Sequence, residues 1–394
     1  MSSRLRIIVS GLIAQYPLGG VTWDYLQYVL GLVRLGHEVY YFEDTGVWPY
    51  NPNEGGTAEG YEFNVGYLSD IMDRFGLAEH WAYCFPWESQ WFGLSEHKRE
   101  EVINTADILI NVSGVLRNPW DYRTVNTLVY IDSDPVFTQV KLVRGQDDFR
   151  RMVDAHDVHF SFGENLSDQI PETGHDWWPT RQPIVLTEWR NDLEYRQVFT
   201  TIMNWTSYKS VEFEGQTFGQ KDIEFRRFID LPATVAPSIL ELAVNEGKTK
   251  RTPRDLLTHK GWRVVDPALV CPDLDSYRRY IQTSKAEWSV AKNGYVAGQP
   301  GWFSCRSACY LAAGRPVVVQ DTGFSRVLPT GEGLLAFSTF EEAVEAIHSV
   351  EDDYPRHAKA ARTIAEVYFA SDTVLTRLID DAFSAISPEQ GAVK

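Results

Sequence analysis

The sequence predicts an α/β protein of two doubly wound domains, each a mainly parallel sheet with helices on both faces. Three observations carry this. The chain opens with a short apolar run, a glycine turn, a helical pattern and a second apolar run, which is the order of a βαβ unit. Later apolar runs are short and lack polar alternation, as strands buried on both faces require. After a Trp- and Pro-rich interruption the rhythm restarts, and 394 residues is ample chain for two domains of ordinary size.

In chain order, residues 5–10 read as the first strand, 15–20 as a turn, 21–35 as a helix ended by Gly36, and 39–43 as the second strand. Residues 108–112, 128–131 and 158–162 are further strands. The aromatic stretches 48–50 and 81–92 read as long loops that point to an apolar or ring-bearing acceptor, with core packing as the equal alternative. Between 164 and 196 the pattern breaks around Asp176-Trp177-Trp178-Pro179, which marks the connection between domains. A strand at 200–204 restarts it, then helix 222–228, strand 239–244, helix 253–259, strand 263–265 and a helix from 273. A strand near 288–291, a helix over 304–313, a strand at 316–320 and helices over 341–350, 356–369 and 372–386 complete the chain. The expected division is an N-terminal domain over 1–190, a second domain over 197–370, and a C-terminal helix within 371–394 that crosses back toward the first.

Charge narrows the function. Asp plus Glu number 54 against 37 Lys plus Arg, a net charge of −17 that repels phosphate backbones at long range. Nucleic acid is therefore not an expected partner, and no run approaches the roughly 18 apolar residues of a membrane span. Cys84, Cys271, Cys305 and Cys309 form neither a disulfide framework nor a C-x-x-C pair, so a reducing cytoplasm is expected. No H-E-x-x-H or G-x-S-x-G pattern supports zinc or serine hydrolysis, and the Gly19-Gly20 turn is neither a dinucleotide nor a phosphate-loop fingerprint. No metal and no cofactor is expected.

Two such sheets present the carboxyl ends of their strands to a shared cleft, which suits a transfer between two bound molecules. The richest candidate wall is the stretch from Gly301 to Phe324. A helix starting at Ser304 offers free N–H groups and the positive end of its dipole to a diphosphate, and Arg306 and Ser307 add a guanidinium and a hydroxyl. Asp321, Thr322 and Gly323 follow the next strand and address sugar hydroxyls. Lys292, Asn204 and Ser207 lie in other strand-end loops, Lys209 and Lys221 are alternative phosphate partners, and together they supply polar contacts and local positive charge. The plain structural alternative is an N-capping Ser304, a surface Arg306 and an ordinary turn at 321–323.

On the opposite wall, Gly19 and Gly20 permit close approach of an acceptor, with Asp134 and His175 as further acceptor contacts. Asp132 and Asp24 are the candidate general bases. Asp132-Ser133-Asp134 also has a spacing able to hold a divalent cation, while Asp134 as a helix cap and Asp24 as a dipole partner in the first helical turn are the structural alternatives.

The run Ala312-Ala313-Gly314-Arg315-Pro316-Val317-Val318, the polar turn with Gly323 and the Gly331-Glu332-Gly333 loop resemble the donor domain of GT-B glycosyltransferases. Within them the chain is most similar to bacterial family 1 and family 4-like enzymes. The resemblance implies two Rossmann-like domains, an N-terminal one for a small-molecule acceptor and a C-terminal one for a nucleoside-diphosphate-sugar co-substrate. It implies transfer of a sugar to a hydroxyl or amine. A nucleotide-sugar 2-epimerase of the same architecture and a catalytically silent sugar-nucleotide or partner-binding protein are the alternatives. One departure stands out: many retaining members carry a Glu five residues before the Gly of Gly-x-Pro-Val-Val, and Cys309 occupies that place here.

Overall fold

The computed structural model describes residues 4–245 and 252–386; the end of the expected crossing segment, 387–394, lies outside the described residues. The first sheet has eight strands in the order Trp177–Pro179, Val158–Ser161, Thr127–Asp132, Ile108–Val112, Arg6–Ser10, Glu38–Glu43, Trp81–Phe85 and Gln90–Gly93. All neighbours pair in parallel except the last two. The second sheet runs Arg263–Val265, Ile239–Asn245, Val198–Asn204, Ala286–Ser289, Val317–Gln320 and Leu334–Phe337, parallel throughout. Winding reverses between Arg6–Ser10 and Ile108–Val112 in one sheet, and between Val198–Asn204 and Ala286–Ser289 in the other. Crevices for ligands therefore open beyond Ser10 and Val112, and beyond Asn204 and Ser289.

The central strands bury nearly every residue, Ile7, Ile8 and Val9 among them, which is why their sequence shows no alternation. The 81–92 stretch is not a loop. Trp81–Phe85 and Gln90–Gly93 pair antiparallel as the sheet's edge, because consecutive aromatics favour a pleated surface and Pro86 turns the chain between them. Likewise Trp177–Pro179 adds an outer strand where the sequence suggested only connection.

The halves meet along the Gly19–Arg34 helix, which packs on Leu274–Gln282 and on Ser371–Ile386. Trp23 is wholly buried in this seam, its indole N–H donating to the Leu274 carbonyl at 3.0 Å and its ring 5.2 Å from that of Trp189. The chain crosses back where Ile184 N–H donates to the Phe369 carbonyl at 2.7 Å and Ser371 N–H to the Ile184 carbonyl at 2.9 Å. Before that crossing the expected 356–369 helix divides into Tyr354–Ile364 and a wider π turn over Ala365–Phe369.

Candidate functional site

The Cys305–Ala312 helix begins at the carboxyl edge of the second sheet, over a cavity lined by Ser289, Ser304, Arg306, Ser307, Gln320 and Thr322. The Ser304 side chain makes no capping bond, so the first-turn N–H groups lack a side-chain acceptor. Ser307 Oγ is buried there without a hydrogen-bond partner among the described residues.

The polar turn behind this helix start is scaffolding. Thr322 Oγ1 donates to the Trp302 carbonyl, and Gly301 N–H donates to the Thr322 carbonyl at 2.8 Å. Asp321 accepts from Gly323 N–H at 2.9 Å and from Ser325 Oγ at 2.6 Å. Gly323 has φ +90°, and a Cβ there would lie 2.8 Å from the Gln299 carbonyl oxygen. In place of the expected contacts with sugar hydroxyls, Thr322 ties the turn to the Gly301–Trp302 backbone, while Asp321 closes its own turn by accepting from Gly323 and Ser325.

Arg306 is a buried ion-pair member, with Nε donating to Glu287 Oε1 at 2.5 Å, Nη1 to the Ile202 carbonyl at 2.8 Å and Nη2 to Ser289 Oγ at 3.0 Å. Glu287 offsets its charge. Lys221 differs, since its half-buried ammonium makes no hydrogen bond or ion pair among the described residues. Burial, reinforced by Arg306 and Lys292 against the pull of Glu287, pushes this group well below the usual lysine range. Asn204 and Ser207 are exposed at the rim, where Ser207 N–H donates to Gln220 Oε1 at 3.4 Å.

Lys292 crosses the cleft. Its Nζ donates to Asp134 Oδ1 and to Tyr208 Oη, both at 2.8 Å, and sits over the rings of Phe137, Tyr208 and Tyr295. The Tyr208 and Tyr295 hydroxyls also donate to Asp134. Burial alone would raise the Asp134 carboxyl, but Lys292 and the two tyrosines hold it below the usual range. Asp134 is thus a partner of the donor-side lysine, which corrects its reading as an acceptor contact. Neither tyrosine is singled out by sequence reasoning, and only their neighbourhood to Lys292 in strand-end loops hints at them.

Three further expectations on the N-terminal wall are corrected. Asp132 is buried at a strand end and accepts from Thr138 Oγ1 at 2.7 Å, Gln139 Nε2 at 2.9 Å, Ser161 Oγ at 2.9 Å and Asp134 N–H at 3.0 Å. These four bonds give Asp132 a positioning role in the turn, while burial raises its carboxyl against their pull. Gly19 and Gly20 face protein instead of ligand: a Cβ on Gly19 would lie 2.1 Å from the Asp273 carbonyl oxygen, and one on Gly20 would lie 3.0 Å from the Tyr277 ring. His175 lies beside the outer strand, donating from Nε2 to Asp154 at 2.7 Å and packed on His159 and Trp177, because the Trp pair extends the sheet.

Asp24 is the acid that remains. The helix starts at Gly19, so Asp24 is its sixth residue and lies beyond the first turn, contrary to the sequence reading. Its carboxyl makes no hydrogen bond among the described residues, and burial raises it to about 7 against the pull of Arg306 across the seam. Glu43, which sequence reasoning passed over, is also pushed up to about 7 by burial. It accepts from Ala14 N–H at 2.9 Å, Gln15 N–H and Tyr41 Oη, fixing the loop that leaves the first strand. Its place at the end of the second strand was the available signal. Among the described residues, no group of three or more His, Cys, Asp or Glu is disposed to hold a metal ion, and no helix is long and apolar enough to cross a membrane.

No family model and no curated protein matches the chain. Solved structures do. An alpha-glucosyltransferase in complex with UDP and a mismatched 13-mer DNA superposes with a TM-score of 0.60 at 14% identity, covering 96% of this chain and 100% of that one. A sucrose-phosphate synthase from Thermosynechococcus elongatus gives 0.55 at 12% identity, over 97% of this chain and 100% of that one. Anabaena HepE in complex with UDP gives 0.55 at 11% identity, over 96% and 99%. The fold is GT-B. In GT-B terms, the crevice beyond Asn204 and Ser289 faces the crevice beyond Ser10 and Val112, with Lys292 and Asp134 spanning the gap.

Proposed function

We propose that this protein is a glycosyltransferase that moves a sugar from a nucleoside diphosphate held on residues 197–370 to an acceptor hydroxyl or amine held on residues 1–190. The observation that carries the reading is the uncapped start of the Cys305–Ala312 helix, where Ser307 Oγ is buried without a partner among the described residues and Lys221 lies among Arg306, Glu287 and Lys292. Three cations there, Lys221, Arg306 and Lys292, outnumber the Glu287 carboxylate, and a diphosphate offsets that excess of positive charge. Structural neighbours with UDP and UDP-glucose bound support uridine nucleotides as the first probes.

In this reading, Lys221, Lys292, Ser307 Oγ and the first-turn N–H groups after Ser304 receive the diphosphate and stabilise the charge that grows on it as the sugar departs. Arg306, fixed by Glu287, contributes field in place of a moving contact. If transfer inverts, Asp24 takes the acceptor proton; if it retains, that step needs no side-chain base. Closing the cleft excludes water from the donor. The sugar nucleotide is a co-substrate, and no cofactor enters the proposal.

Calorimetry with UDP, UDP-glucose and other nucleoside diphosphates, with and without EDTA, tests it. Saturable one-to-one binding that survives EDTA and weakens in Lys221→Met supports the reading. Absence of binding by every nucleoside diphosphate overturns it.

A further inference from the structure

We infer that the N-terminal half carries a docking platform for a neutral carbohydrate chain, formed by Tyr16, Trp48 and Trp87 at the carboxyl edge of the first sheet. The inference rests on the proposed glycosyl transfer and names the class of its acceptor. Arg6–Ser10, Glu38–Glu43 and Trp81–Phe85 run parallel and end at one edge, and the loops that leave them carry these three rings. The loops are tied together. Gln15 Nε2 donates to the Trp48 carbonyl at 2.5 Å and Tyr50 N–H to the Gln15 carbonyl at 2.9 Å, so the platform is continuous with the loop that Glu43 fixes over the first crevice. The Trp48 ring lies 6.1 Å from that of Trp87 and edge-on to Phe85 at 5.2 Å, while Tyr16 and Tyr50 lie 6.3 Å apart.

These rings are braced yet left in water, with Trp87 61%, Tyr16 39% and Trp48 38% exposed. Large aromatics held together at the surface forgo favourable burial and mark a recognition surface. Charge selects the occupant. Residues 44–64 contain Asp44, Glu54, Glu59 and Glu62 but no Lys or Arg, and residues 81–92 contain one acid and no base. Arg117, packed on Gly46, faces Asp44. Such a surface disfavours phosphates, anionic lipid headgroups and nucleic acid. A neutral sugar ring fits, because its C–H face is drawn to the negative face of an aromatic ring and its hydroxyls can donate to the exposed Glu54 and Glu59 carboxylates and the exposed Asn53 amide.

The test titrates the full chain, without donor, with short neutral oligomers of glucose, mannose, galactose and N-acetylglucosamine, read by tryptophan fluorescence and calorimetry. At least one series should bind saturably and shift the emission, and Trp87→Ala and Trp48→Ala should each weaken it about tenfold. UDP affinity and melting temperature of the same variants serve as folding controls. No response to any neutral series, or a response to phosphatidylglycerol vesicles or duplex DNA in its place, overturns the platform. Glycan binding without any nucleotide binding sinks the transferase reading and leaves the platform standing; the reverse sinks the platform alone.

Discussion

Lys292 and Asp134 form a 2.8 Å ion pair across the cleft, so this lysine is already engaged before a diphosphate arrives. A donor phosphate has to share that lysine with a carboxylate. Asp134→Asn removes the competing negative charge and should tighten UDP binding by about 1 kcal/mol, roughly fivefold, at low salt. Lys292→Ala should weaken it. Calorimetry on both variants checks the pair, and weaker binding by Asp134→Asn would contradict the competition.

Lys221→Met should separate function from stability. Removing an ammonium that Arg306 and Lys292 crowd and Glu287 only partly offsets should raise the melting temperature at pH 7, while UDP affinity falls by about tenfold or more. A drop in both would mean that Lys221 is a structural residue.

Asp24 sets a pH dependence. If it accepts the acceptor proton, kcat/KM should rise with pH through an ionisation near 7, and Asp24→Asn should lose both the activity and that limb. Stability moves the other way. The folded carboxyl binds its proton up to about 7 whereas its ordinary value is 3.8, so the stabilisation is complete below about 4 and lost as pH rises through 7. The melting temperature of Asp24→Asn relative to wild type should therefore increase from pH 5 to pH 8. Glu43 is raised in the same direction, so part of the slope persists in the variant. A gap that stays constant with pH would place the Asp24 ionisation elsewhere.

Asp132→Asn should act on the fold. The amide keeps an acceptor oxygen but turns an NH2 group toward donors, leaving buried groups unmatched at a cost of about 1–3 kcal/mol. Thermal or urea melts should show the loss, with any surviving activity keeping the pH profile of the wild type. A changed profile at unchanged stability would restore Asp132 as a base.

The order of strands and helices was legible in the sequence because apolar runs and glycine stops are local signals, as at 5–10, Gly36 and 316–320. Lys221, Lys292 and Ser304 could be singled out because strand-end position is also local. What could not be read was who meets whom. Gly19 looks free for a ligand until Tyr277, far along the chain, is folded against it. Asp132 looks reactive until Thr138, Gln139 and Ser161 converge on it. The cross-cleft group of Asp134, Tyr208, Lys292 and Tyr295 depends on two domains docking, and no periodicity encodes that.

The buried seam around Trp23 also bears on how this chain can be recombined. One indole spends its N–H on the opposite half, and glycines on the same helix admit Tyr277 and Leu375, so neither half presents a surface that is complete without the other. A chimera joining this N-terminal half to a foreign donor half would need to import the Leu274–Gln282 and Ser371–Ile386 helices with it. Otherwise a socket for Trp23 would be missing, and swapped halves would aggregate through that apolar stripe before any change of donor preference could be assayed.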